Sequence, residues 1–201
     1  MDSNLVSIGL RAKTARAIAV VLGGPPDSPV VLAKGEIKLA DSKIPGTAQP
    51  YHEVMDLPWE ESQRAVRKHA RTIEAIARKA LAQLIKEQLS NGMQVYGVGI
   101  VGAEDRNLAR IGNPHIRAHA GEGILFRRVL DLAAEANGLK WQAFSDRKFD
   151  DVARTAMGSR SAFVTRKLSD LGKQLAPPWR ADEKQAATAA WLVLHGLPRH
   201  G

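Results

Sequence analysis

The stretch Leu5-Val6-Ser7-Ile8-Gly9-Leu10-Arg11-Ala12-Lys13-Thr14-Ala15-Arg16-Ala17-Ile18-Ala19-Val20-Val21-Leu22 decides the fold. It is rich in Val, Ile and Ala, and its polar patch Arg11-Ala12-Lys13-Thr14 divides it into two strands joined by a short basic turn. Gly23-Gly24-Pro25-Pro26-Asp27-Ser28-Pro29 is dense turn chemistry, after which Val30 to Leu39 alternates enough to form a third strand. Strands that follow one another across short turns pair antiparallel.

Working outward, residues Ala40 to Leu57 carry Pro45, Gly46 and Pro50 and read as an irregular connection. Pro58 and Trp59 then lead into a helix from about Glu60 to Ser90, with Val66, Ala70, Ile73, Ala77, Ala80 and Leu84 on one stripe and Asn91-Gly92 as its stop. Met93 to Val101 is a short apolar run that fits a buried strand. A second helical pattern runs from about Gly121 to Asn137, and Leu139 to Phe144 reads as a fifth strand. From Phe149 to Ala176 the chain is helical and basic, Pro177-Pro178 interrupts it, and a last helix spans about Asp182 to His195.

At 201 residues and 44% hydrophobic content, the chain suffices for one core, so residues 1–201 are read as a single domain. The 29 Lys and Arg against 21 Asp and Glu give a formal charge of +8, which attracts polyanions and makes nucleic acid the first partner to consider. No cysteine is present, which excludes disulfides, thiolate zinc sites and cysteine nucleophiles and fits a reducing, cytoplasmic setting. The opening Met1-Asp2-Ser3-Asn4 lacks the features of a signal peptide, and no apolar run is long enough to span a bilayer, so no membrane partner is expected.

Several segments resemble RuvC-type Holliday-junction resolvases. Ile8-Gly9-Leu10-Arg11-Ala12-Lys13-Thr14-Ala15-Arg16-Ala17-Ile18-Ala19-Val20 resembles the family's first hairpin, where an Ile-Gly-Ile-Asp-Pro-Gly run is followed by a strand. Ala156-Met157-Gly158-Ser159-Arg160-Ser161 resembles the turn before its penultimate helix, and Ala181-Asp182-Glu183-Lys184-Gln185-Ala186-Ala187 resembles the start of its closing helix. The resemblance implies an α/β, RNase H-like fold: a mixed five-stranded sheet, three antiparallel strands first, flanked by helices. It also implies DNA rather than RNA as the bound nucleic acid, and a homodimer formed through the helix Gly121 to Asn137.

The departures from the family carry as much weight. Enzymes of this fold cut phosphodiesters with two magnesium ions held between clustered carboxylates. At the first-strand position this chain has Arg11, a cation where an anionic ligand is needed. The run Gly97-Val98-Gly99-Ile100-Val101-Gly102 has no carboxylate for the family's mid-strand Glu, and on the last helix Asp182 matches the first acid while the second position is Gln185. One acid in four survives, unless Glu104, Asp105 or Glu183 substitute. No resident cofactor is expected, and magnesium only if Asp182, Glu183 and Glu104 form a rearranged nuclease site.

Other signals have plain alternatives. Asp182 is either a relic ligand or an acid favoured at a helix start. The G-x-G-x-x-G at 97–102 lies inside an apolar strand, where glycines allow close packing of a neighbour rather than cradle a dinucleotide. Arg11, Lys13, Arg16, Arg147, Lys148, Arg154, Arg160, Arg166 and Lys167 form either a solvated basic face or a phosphate-binding one. Phe149 and Phe163 are either core residues or platforms for bases. Among His52, His69, His115, His119, His195 and His200, only His115 and His119 stand four apart, without the intervening Glu of a H-E-x-x-H motif, so no metal site is expected. The sequence thus points to a nucleic-acid-binding protein that has lost its cutting site. The alternatives are a divergent magnesium nuclease and a scaffold subunit that meets protein partners.

Overall fold

The computed structural model of the chain describes residues 4–196. Five strands form one sheet: β1 (Leu5–Lys13), β2 (Arg16–Gly23), β3 (Val30–Lys38), β4 (Gln94–Gly102) and β5 (Lys140–Ser145). Their order is β3-β2-β1-β4-β5, with β1 to β3 antiparallel and β4 and β5 parallel to β1. The helices are α1 (Trp59–Ser90), α2 (Pro114–Ala136), α3 (Phe149–Met157), α4 (Ser161–Leu171) and α5 (Ala181–Trp191), the last followed by a wider helical turn over Leu192–Gly196. This mixed sheet flanked by helices is the RNase H-like arrangement.

The turn between β1 and β2 is tighter than the basic patch suggests. Only Thr14 and Ala15 lie outside the ladder, Ala15 taking the left-handed conformation with φ 65, so Arg11 and Lys13 are strand residues. That placement fixes their direction, because side chains alternate across a strand. Val6, Ile8, Leu10 and Ala12 face α1 and α2 in one core, together with Ile73, Leu81, Phe126 and Leu130. Ser7, Gly9, Arg11 and Lys13 face the other side, where α5 lies over β1 and β4 and Trp191, Phe144 and Phe149 fill a second core.

α5 lies on the sheet almost backbone to backbone. A Cβ on Gly9 would run into the Ala186 carbonyl, and one on Gly99 would stand 2.6 Å from the Ala189 carbonyl oxygen. The glycines of β4 therefore serve packing, as the sequence suggests: Gly99 faces Ala189, Gly97 lies against the Lys140 carbonyl and Val193, and Gly102 lies against the Arg127 side chain, while Ala186 and Ala190 face Gly9 of β1. The Ser7 hydroxyl donates to the Ala190 carbonyl at 2.6 Å, Gly9 lies under Ala186, and Arg11 meets Asp182. Steps of two along the strand match steps of four along the helix because about 6.6 Å of strand equals roughly one 6 Å stretch of helix.

Two helices differ from the sequence expectation. α2 begins at Pro114, with Asn113 accepting the Ile116 N–H at 3.0 Å, seven residues before Gly121. Pro114 is thus a helix-starting proline. The basic stretch after Phe149 is two helices, separated at Gly158, whose φ is 56.

Candidate functional site

The C-terminal end of β1 opens between β4, β5 and the first turn of α5. Arg11 stands at its centre, with a side chain 14% exposed. One guanidinium nitrogen reaches Asp146 Oδ2 at 3.4 Å, and Nε lies 3.5 Å from Asp182 Oδ1, an ion-pair contact without hydrogen-bond geometry. The guanidinium also donates to the Val101 and Ala12 carbonyls, each at 3.4 Å. Lys13 Nζ adds a contact to Asp182 Oδ2 at 3.1 Å. Two cations and two carboxylates thus form one closed group with no net charge.

Each member is set by its own element. Asp146 follows β5, its N–H donating to the Gly102 carbonyl at 2.9 Å, which ties the end of β5 to the end of β4. Asp182 is in the first turn of α5, where the helix dipole favours an anion, and the seam with β1 aims it at Arg11. Asp146 is the member of this group that the sequence does not single out.

The other acids go elsewhere. Glu183 is buried and turns back to accept the Arg180 N–H at 2.8 Å, so it caps its own helix. Glu104 pairs with Lys148 at 3.3 Å and lines a separate depression with Asp105, Arg127 and Ser145. There Arg127 bridges Asp105, at 2.6 Å, and Asp131 one helical turn along α2. Burial raises the Asp131 carboxyl to about 6 despite the opposing pull of Arg127.

Of the expected phosphate-binding residues, Arg11 is held inward by two carboxylates and Lys13 is half taken by Asp182. Arg16, Arg147, Lys148, Arg154, Arg160, Arg166 and Lys167 are exposed. Arg16 pairs with Glu36 at 3.4 Å and Arg154 with Asp151 at 3.3 Å, both surface contacts of little energetic weight. Among the described residues, no carboxylate stands within ion-pair distance of Arg147, Arg160, Arg166 or Lys167. Between α3 and α5 runs a groove of about 340 Å³ lined by Arg154, Thr165, Lys184 and Gln185 among others. Phe149 is 1% exposed and packs edge to face with Phe144, so it is core and offers no platform to a base. Phe163 is partly buried beneath Lys167.

No protein-family model matches the sequence, and no curated protein matches it. Among solved structures the chain is similar to RuvC of T. thermophilus in complex with a Holliday junction substrate, at 11% identity and a TM-score of 0.49, covering 93% of this chain and 90% of that one. It is also similar to Thermus thermophilus RuvC at 10% identity and a TM-score of 0.46, covering 92% and 91% of the two chains. Likenesses at this level say nothing about chemistry. No helix among the described residues is long and apolar enough to cross a membrane.

Proposed function

We propose that the protein binds duplex or branched DNA through its exposed basic face and does not cut it. The observation that carries this reading is the Arg11 guanidinium between Asp146 and Asp182, the position from which a metal ion would have to work. A pair of magnesium ions needs several converging carboxylates. Here the two that converge are occupied by a fixed cation, Glu183 caps a helix and Glu104 pairs with Lys148, so the donor set does not fit that pair.

The same geometry moves the expected phosphate contacts outward. Arg11 and Lys13 are engaged by carboxylates within the cleft, whereas Arg147, Arg160, Arg166 and Lys167 are exposed, are held in no direct ion pair among the described residues, and can displace counterions from a phosphate backbone. A homodimer through α2 would have to use a side of the helix turned away from the core, such as that of the exposed Leu132.

Gel-shift titration of a duplex and a four-way junction at about 50 and 200 mM salt tests the reading. Four phosphate contacts predict a loss of affinity of about 100-fold between the two conditions, and charge removal at Arg147 and Arg166 together should lower the salt slope by about 2. Absence of binding at the lower salt overturns the proposal. So does cutting of the junction in magnesium or manganese that Asp182→Asn abolishes.

A further inference from the structure

We propose that His52, His115 and His119 form a binding site for a zinc-class divalent cation, held from behind by Glu122. A ring nitrogen of each histidine lies within 4.8 Å of the other two. The ring centroids are 4.5 Å apart for His52–His119 and His115–His119, and 5.2 Å for His52–His115. His115 and His119 share a face of α2 because they are four residues apart. The third ligand comes from the connection between β3 and α1, which explains why the sequence pattern hides the site.

Three edge-on rings alone would be ordinary packing. What distinguishes this cluster is Glu122, one turn beyond His119 and only 1% exposed, whose Oε1 accepts the His52 N–H at 3.3 Å and pairs with His52 Nδ1 at 2.8 Å. A carboxylate only accepts, so Nδ1 carries the proton and Nε2 is left with a lone pair for a metal. A carboxylate that holds an imidazole through its far nitrogen is the arrangement that orients histidine ligands and raises their basicity. Burial of that carboxylate is costly unless positive charge compensates it, and a cation on the far side of His52 would supply that charge.

The loop that brings His52 is itself rigidly built. Tyr51 packs its ring against Gly121, where any Cβ would stand 2.8 Å from ring carbons, and Ser62 Oγ donates to the Val54 and Leu57 carbonyls. The positive end of α2 works against a cation here. Coordination by imidazole lone pairs is far stronger than that dipole, and Arg117 is drawn aside over the Trp59 ring. Three imidazoles suit zinc, cobalt or nickel over magnesium, which takes oxygen ligands. His115 and His119 are exposed, so a fourth position is open to water. The site lies on the α1 and α2 side of the sheet, away from Arg11, and owes nothing to the reading of that cleft.

Untagged full-length protein, stripped with chelator, should bind one zinc ion per chain by calorimetry and give the visible absorption of tetrahedral cobalt. His115→Ala and His119→Ala, at exposed positions, should each weaken binding by at least about 100-fold, and Glu122→Gln by about 10- to 100-fold. His69→Ala should change nothing. Failure of zinc to bind below about 100 μM, or stoichiometric binding that survives both His115→Ala and His119→Ala, would overturn the site.

Discussion

Truncation of Arg11 to alanine is the sharpest probe of the cleft. Each of its two carboxylate contacts, at 3.4 and 3.5 Å, has a gross Coulomb energy of about 5 kcal/mol at an effective dielectric of 20. Most of that is cancelled by the desolvation of the guanidinium, and Asp146 and Asp182 are 29% and 37% exposed, so water screens what remains. A net loss of about 2 kcal/mol is expected, a fall in Tm of roughly 4–8 °C for a chain of this size. The variant leaves Asp146 without its cation and Asp182 with Lys13 alone, around a vacated space that should now accept a hard cation. With a Kd near 1 mM, calcium at about 10 mM would restore roughly 1.4 kcal/mol to Arg11→Ala and nothing to the parent protein. Thermal unfolding with chelator and with calcium reads both effects. The reasoning is refuted if Arg11→Ala unfolds within about 0.5 kcal/mol of the parent, or if calcium stabilises both proteins equally.

Two further outcomes follow from the packing. Asp131 has a folded pKa of about 6 against 3.8 for an exposed carboxyl, so the folded state holds the proton more tightly. Its contribution is fully present below about pH 4 and is lost as pH rises through 6, up to about 3 kcal/mol; Asp131→Asn should flatten the pH dependence of urea unfolding across that window. Gly9→Ala should cost more than about 3 kcal/mol or prevent folding, because its Cβ meets backbone that cannot yield, whereas Gly35→Ala, with open space around it, should stay within about 1 kcal/mol.

Much of the sheet is legible in the sequence because apolar runs and turn residues punctuate it locally. Asn91-Gly92 and Asn137-Gly138 mark helix ends, and the 97–102 glycines read as packing positions, as they are. The start of α2 is misread because Pro114 is a breaker within a helix and a starter at its first turn, and only the Asn113 cap tells the two apart. The site is less legible. Arg11 is visible as a cation where the resemblance implies an acid, but its partner Asp146 lies in a turn with no periodic signal, 135 residues away. Likewise His52 sits in an irregular connection, and nothing in its local sequence says that it meets His115 and His119.

The small-residue seam between β1 and α5 acts as a ruler for charge. It sets the helix against the strand at Ser7 and Ala190 and at Gly9 and Ala186, and the next graduation falls on Arg11 and Asp182. Deletion of one residue between Asp182 and Ala186 would leave the seam intact and swing Asp182 by about 100° around the helix axis, off Arg11. Electrostatic pairing in the cleft is thus measured out by alanines and glycines that carry no charge.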